Sequence, residues 1–339
     1  MSIKVGVLGA GSWGTALALV LLENGHEVTL WTHSEKSCER MKESRKLSGK
    51  LPQVYIPKEI ALTSLTEEAV VGKELIVMAV PSTAVRETAE KMKPYIEKGQ
   101  IVVSVSKGFE ERTLLTLTQV IEEVLPQAEA CALCGPSHAE EVIASLPTAL
   151  VAGAKKKSVA EKIQSTFMNA YLRVYTCPDV LGMEIGGALK NVLALAAGMA
   201  DGLGYGDNTK AALITRGMAE LIRLSEKMGA NPVTMNGLTG MGDLIVTCQS
   251  RHSRNRKAGM LIGQGKTLAE AEKEIGMVVE GANSARAAKL LAEKYGVSMP
   301  IVTQVNAVLF DGKKAEDAVS ELMLRDRRME NTTMHFEEE

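Results

Sequence analysis

The chain of 339 residues is 45% hydrophobic and 24% charged, a composition that excludes a fibrous or disordered protein and gives enough length for two domains with their own cores. Its 39 basic and 41 acidic residues are spread along the sequence and leave a net charge of −2, so no single-sign field is available to coat nucleic acid or anionic lipid. The longest wholly apolar stretches, such as 16–22 and 192–197, fall well short of the ~20 residues of a membrane helix.

An apolar strand-like run at 3–8 opens the chain and leads through Gly9-Ala10-Gly11-Ser12-Trp13-Gly14 into a helix-like run at 15–22. A GxGxxG set is weak by itself and becomes specific between a strand and a helix. Gly9 then makes the tight turn, Gly11 lets the backbone approach a pyrophosphate, and Gly14 lets helix and strand pack closely, with the helix N-terminus facing the anion. This placement predicts dinucleotide binding rather than an ordinary glycine-rich turn. Nothing resembling a basic, apolar secretory leader precedes the strand, so a cytoplasmic address is expected.

The second strand, 27–31, runs out into Thr32-His33-Ser34. The carboxylate that would bind a ribose 2′-hydroxyl and repel a 2′-phosphate is missing there. His33 and Ser34 are donors at that position, Lys36 and Arg45 are cations within reach, and Glu35 is expected to point along the next helix. NADPH is the expected cofactor, with NADH possible.

Further strand-like runs at 75–80, 101–105, 130–134, 149–152 and 172–175 alternate with helix-patterned stretches. This rhythm predicts a doubly wound, mostly parallel α/β sheet over a first domain of 1–179, with ligand chemistry in the loops at the C-terminal strand ends. Ser106-Lys107-Gly108 follows one strand and sends Lys107 into the crevice, where it balances an anion. Gly135-Pro136-Ser137-His138-Ala139-Glu140 follows the next and opens a helix; Ser137 is either its N-cap or a ligand residue. Cys131 and Cys134 have CxxC spacing inside an apolar run, without the second pair of a zinc site. They read as small buried hydrophobes, and all five cysteines as free thiols with no metal centre.

From residue 180 the pattern turns helical, over 180–199, 210–228, 254–263, 267–275, 282–295, 301–310 and 315–323, which predicts an all-α C-terminal domain of 180–339 with a charged, frayed tail at 325–339. Lys190 sits in an apolar, small-residue helix, and a lysine is rarely buried without a task or partner. A glycine-rich loop at 237–243 offers Asp243 as that partner. Ser253-Arg254-Asn255 begins a helix at which hydroxyl, guanidinium, amide and backbone donors converge as a phosphate requires.

Taken together, the 9–14 turn, Ser-Lys-Gly at 106–108, Gly-Pro-Ser-His-Ala-Glu-Glu at 135–141, Lys190-Asn191, Gly-Leu-Thr-Gly-Met-Gly-Asp at 237–243, Ser253-Arg254-Asn255 and Val279-Glu280-Gly281 resemble bacterial NAD(P)-dependent sn-glycerol-3-phosphate dehydrogenases in order and spacing over nearly the whole chain. The resemblance implies a Rossmann-type domain followed by the helical one. It also implies Lys190 as the catalytic lysine, proton donor in reduction and acceptor in oxidation. Glycerol phosphate would be held by Lys107, Gly135, Ser137, Lys190, Asp243, Ser253, Arg254 and Asn255. Gly9, Gly11 and Gly14 would frame the dinucleotide, with Ser12, Trp13, His33, Lys107, Ala139, Arg254, Val279 and Glu280 touching it. The implied reaction is NAD(P)H-dependent reduction of dihydroxyacetone phosphate to sn-glycerol 3-phosphate for glycerophospholipid synthesis, by a homodimer that engages neither nucleic acid nor membrane. Two rival readings are a related two-domain hydroxy-acid dehydrogenase, which would want a carboxylate clamp where Ser253-Arg254-Asn255 suits a phosphate better, and an NADPH-binding redox sensor, to which a buried lysine at 190 is of no use.

Overall fold

The computed structural model describes residues 2–47, 51–276, 278–327 and 329–330, so most of the frayed tail expected at 325–339 lies outside the described residues. Its strands are β1 (Lys4–Leu8), β2 (Glu27–Trp31), β3 (Lys46–Leu47), β4 (Leu51–Tyr55), β5 (Ala61–Thr63), β6 (Leu75–Met78), β7 (Ile101–Ser104), β8 (Glu129–Cys134), β9 (Thr148–Gly153) and β10 (Leu172–Cys177). Eight of them form one sheet in the order β10-β9-β8-β7-β6-β1-β2-β5, parallel throughout except between β8 and β9. The expected doubly wound, mostly parallel sheet is therefore present.

Helices cover both faces of the sheet, and the strand sequences show why. Along β6, Leu75 and Val77 enter one core while Ile76 and Met78 enter the other, as the two-residue period of a strand requires. A strand covered on both sides loses its polar positions and reads as a continuous apolar run. The chain leaves β1 toward β2 and β5 on one side and returns to β6, β7 and β8 on the other. The topological switch point thus falls between β1 and β6, where a doubly wound sheet opens its ligand crevice.

Two features escape the alternation pattern. β5 is three residues long, and β3 and β4 make a separate two-stranded antiparallel ribbon. Segments this short present too little period to be read.

After Cys177 every described element is a helix. Val180–Gly202 is 23 residues long and apolar enough to cross a membrane by composition, but 94% of its most apolar window is buried inside the protein. It is the core of the helical domain, and Asp207–Lys227, Arg254–Gly263, Glu280–Tyr295 and Pro300–Phe310 pack around it. Contact with Arg254–Gly263 is closest of all. Gly198 and Gly202 on one helix meet Gly259 and Gly263 on the other, each pair four residues apart and hence on one face. A Cβ at Gly198, Gly202, Gly259 or Gly263 would overlap the carbonyl oxygen of Arg256, Met260, Leu195 or Met199, respectively. This interlock fixes the helix carrying Lys190 against the one that begins at Arg254.

Candidate active site

The turn after β1 has the shape its glycines predict. Gly9 has φ +120°, and a Cβ there would run into the carbonyl of Ala79 at the end of β6. Gly14 faces the Gly9 carbonyl oxygen just as closely, whereas a Cβ on Gly11 would meet nothing. The helix Ser12–Glu23 starts at Gly11 without a side-chain cap and without an acidic residue in its first turn. First-turn N–H groups with open space in front of them suit a pyrophosphate, so the turn fits a dinucleotide. Ala139 is buried against the same helix region, in one core with Trp13.

The structure separates the polar groups that the sequence gathers at the end of the second strand. His33 is exposed on the loop after β2, in a shallow groove with Trp31, Ser64, Leu65 and Tyr95. Ser34 caps the helix Glu35–Ser44 by accepting from the Ser37 N–H at 3.3 Å, and Glu35 begins that helix. Arg45, expected to reach a 2′-phosphate, instead donates to the carbonyls of Pro57 and Ile60 at 3.2 and 3.0 Å. Its guanidinium is used to bind backbone; among the described residues His33, the Ser34 hydroxyl proton and the exposed Lys36 remain of the donors expected at this edge.

Deeper in the crevice the two domains meet through charge. Lys190 forms an ion pair with Oδ1 of Asp243 and donates to Thr247 Oγ1 at 2.7 Å. Lys107, from the loop after β7, donates to Oδ2 of the same carboxylate at 2.5 Å and to the Gly135 carbonyl at 3.1 Å. Gly135 turns the chain out of β8 with φ +146°, a conformation that favours glycine, and its carbonyl also accepts from Ser137 Oγ at 3.0 Å. Ser137 is not the N-cap of the following helix, a position taken by His138.

Asp243 does not lie on a glycine-rich loop. Leu238–Gly242 forms a single π-helical turn that runs into the α-helix Asp243–Gln249, which places the carboxylate at that helix's positive end. The i, i+4 spacing then brings Thr247 onto the face of Asp243. Thr247 is the site residue that sequence reading missed. Its signal was available only to a reader who recognised a helix in 243–249, and the three glycines at 237, 240 and 242 masked it.

Burial decides the protonation states. Removal from water lowers the Lys190 pKa most, Asp243 raises it and Lys107 lowers it again, leaving it at about 8. For Asp243 burial pushes up, but Lys107 and Lys190 outweigh it and hold the carboxyl below the ordinary aspartate range. Lys107 loses from burial and gains more from Asp243, so its pKa rises. Under the pair, the Cys134 thiol is pushed up to about 12 by burial and stays inert. Among the described residues no group of three His, Cys, Asp or Glu side chains is placed to hold a metal ion.

The 253–255 cluster opens the helix that packs on the Lys190 helix. Ser253 caps the helix Arg254–Gly263 by accepting from the Arg256 N–H at 3.2 Å, which leaves its hydroxyl proton free. Asn255 Oδ1 accepts from the Gly281 N–H at 3.0 Å, so its NH₂ group remains to donate. Gly281 is wedged between the carbonyl of Asn191 and Asn255, which ties this cluster to the residue after Lys190. Val279 is buried, and Glu280 opens the next helix within the field of Arg254, Lys107 and Lys190. Burial raises its pKa against those three charges. His252 reaches across to His138, ring centroids 5.9 Å apart, and brings the 253–255 wall next to the loop that holds Gly135 and Ser137. Lys107, Gly135, Ser137, Lys190, Asp243, Ser253, Arg254, Asn255 and Glu280 are thus one constellation. Ser12, Trp13 and His33 lie further along the sheet edge, as β1 and β2 stand three and four places from β8.

Two family models cover almost the whole chain: the N-terminal model of NAD-dependent glycerol-3-phosphate dehydrogenase matches residues 4–160, and its C-terminal model matches 179–320. A glycerol-3-phosphate dehydrogenase (NAD(P)+) of Agathobacter rectalis is 59% identical over 98% of this chain and 99% of its own length. The enzyme of the same name from Fusobacterium nucleatum is 53% identical, with 97% and 98% covered. Among solved structures, glycerol-3-phosphate dehydrogenase from Coxiella burnetii superposes with a TM-score of 0.92 at 35% identity, covering 96% of this chain and 99% of that one.

Proposed function

The chain belongs to the NAD-dependent glycerol-3-phosphate dehydrogenase family, and on that premise we propose that Lys190 delivers the proton in the reduction of dihydroxyacetone phosphate to glycerol 3-phosphate. The protein is an NAD(P)-dependent oxidoreductase acting on that pair of small molecules. The observation that carries the role of Lys190 is its burial in an apolar helix, with its ammonium held by Asp243 and Thr247 at the floor of the crevice.

A bound nicotinamide nucleotide supplies or accepts the hydride. The chain's own residues supply the rest. Lys190, with a pKa of about 8, is mostly protonated at neutral pH and gives its proton to the oxygen on which charge develops. Asp243 holds the ammonium in place, the amine left after the transfer takes its proton back from solvent, and Lys107 offsets the carboxylate charge. Lys107, Lys190 and Arg254 against Asp243 and Glu280 leave the site with an excess positive charge, suited to an anionic substrate. Ser253, Arg254 and the free amide of Asn255 are the donors for the phosphate, with the Gly135 and Ser137 loop opposite them. A phosphate, with three acceptor oxygens and a larger charge than a carboxylate, uses this many donors at a helix start more fully, which favours a phosphorylated substrate over a hydroxy acid.

The preference for NADPH rests on His33 and Lys36 at an edge that carries no carboxylate at the end of β2. Rates of near-ultraviolet absorbance loss with dihydroxyacetone phosphate, measured in parallel with NADPH and NADH, test both parts. Oxidation of either nucleotide is the expected result, faster with NADPH. Binding of both without turnover would sink the assignment and favour a sensor. A homodimer in the cytoplasm goes with the same family reading, and the native mass of the purified protein tests the dimer.

A further inference from the structure

We infer that Glu184 is a positioning residue of the active centre, a latch that fixes the rotation of the Lys190 helix against the sheet domain. Glu184 lies on the helix Val180–Gly202, six residues before Lys190, which is about 9 Å along the axis and roughly 120° around it. One side of the helix thus presents the lysine while another carries the glutamate. Glu184 is 4% exposed, and both of its carboxylate oxygens are used by one residue of the other domain. Oε1 accepts from the Thr118 N–H at 2.9 Å, and Oε2 accepts from the Thr118 hydroxyl.

Thr118 is itself held firmly. It stands in the first turn of the helix Leu117–Val124, where Thr116 and Gln119 form a capping box, and Leu117 and Ile121 anchor that helix in the sheet core. The carboxylate therefore grips the end of a rigid element. An apolar side chain would fill the same space without the cost of burying a carboxyl, so what the position requires is the two-point acceptor. Burial pushes the Glu184 carboxyl up, and hydrogen bonds from Thr118 and Thr116 pull it back.

The geometry makes this more than domain glue. Within the helical domain the glycine interlock already holds this helix. Toward the sheet domain, the Lys107–Asp243 bond acts at the crevice, and the Glu184 grip on Thr118 adds a second directional tie nearly two turns earlier on a different face. It sets the line along which the ammonium faces the crevice into which Lys107 projects.

The inference rests on the dehydrogenase reading, and its test separates the two. In Glu184→Ala, kcat for dihydroxyacetone phosphate reduction is expected to fall about 10- to 100-fold, the cost of a misplacement near 1 Å, while KM and the dissociation constant for NADPH change less than about 2-fold. Glu184→Gln keeps an acceptor for the Thr118 N–H and is expected to restore most of the rate. Thr118→Val, which removes the hydroxyl bond and keeps the N–H one without altering shape, should lower kcat partially and add little to Glu184→Ala. Hydrogen exchange reads the latch without any activity: amides at 116–121 and 180–186 lose protection in Glu184→Ala and regain it in Glu184→Gln. A wild-type kcat in both Glu184→Ala and Thr118→Val overturns the inference, as does a Glu184→Gln variant as slow as the alanine one, or a proportional loss of NADPH binding. If wild type is inactive on this substrate but the exchange pattern changes as stated, the substrate reading fails and the latch stands.

Discussion

Lys190 and Asp243, 53 residues apart in the sequence, form an ion pair with side chains 7% and 1% exposed, and the second oxygen of that carboxylate is taken by Lys107 from the other domain. One aspartate thus organises two cations across the domain boundary. If Lys190 is the proton donor, Lys190→Ala removes the acid but leaves the Asp243–Lys107 pair balanced. Turnover should drop about 10²- to 10⁴-fold with NADPH affinity largely retained. Steady-state kinetics beside a fluorescence titration of the nucleotide check this, and a variant of near-normal rate excludes the role.

The same pair sets the pH response. Reduction needs the ammonium form of Lys190, so its rate should fall as pH rises through about 8, while oxidation of glycerol phosphate, which needs the free amine, should rise through the same range. Profiles of kcat in both directions are the measurement. Parallel profiles would contradict a shared lysine.

Asp243 is the main influence holding the Lys190 pKa up against burial and Lys107. Asp243→Asn keeps an acceptor at nearly the same place and removes the charge. The limb near 8 should then move to lower pH by about 1–3 pH units, so that reduction at neutral pH slows while the acid-side maximum partly recovers. An unmoved limb would mean that Asp243 only orients the lysine.

How much of this was legible beforehand depended on the range of each interaction. The β1 turn, the seven longer strands of the sheet and the character of Lys190 are local: spacing and residue type state them. Asp243 as partner was legible as a carboxylate at the end of a glycine-rich run, but the π turn that carries it was not, since three glycines in seven residues look like a loop. Arg45 illustrates the opposite failure. A cation near a strand end suggests a phosphate ligand, yet the carbonyls of Pro57 and Ile60 that claim it belong to a stretch whose short strands left no periodic signal. Glu184 and Thr118 are joined across 66 residues, beyond what any periodicity reports.

The glycine interlock makes a steric prediction. At Gly198 and Gly259 a methyl group would overlap carbonyl oxygens of the partner helix, and neither backbone can yield without moving Lys190 relative to Arg254. Gly198→Ala or Gly259→Ala should destabilise the fold by about 1–3 kcal/mol and lower kcat even where the protein remains folded. Thermal melts and kinetics on the soluble fraction decide it. An alanine at either position with unchanged melting and rate would show that the helices have room to separate.

A last prediction concerns Glu220, a carboxyl remote from the crevice. It is 3% exposed on the helix Asp207–Lys227 and accepts from the N–H groups of Ile301 and Val302 at 2.8 and 3.3 Å, capping the helix Pro300–Phe310 from outside. Burial raises its pKa to about 7 in spite of those two donors and the charges of Arg223 and Arg325. The folded protein therefore binds more protons than the unfolded chain between the ordinary glutamate range and about 7. By linkage its contribution to stability is complete below that window and is lost as pH rises through it, by on the order of 3 kcal/mol. Glu220→Gln removes the titrating group but keeps an acceptor for Ile301. Stability of the wild type minus that of the variant should fall with rising pH between about 4.5 and 7 and level off above. Denaturant midpoints across that range measure it, and a pH-independent difference would mean that the carboxylate is ionised throughout, held by the helix N-terminus more strongly than burial opposes it.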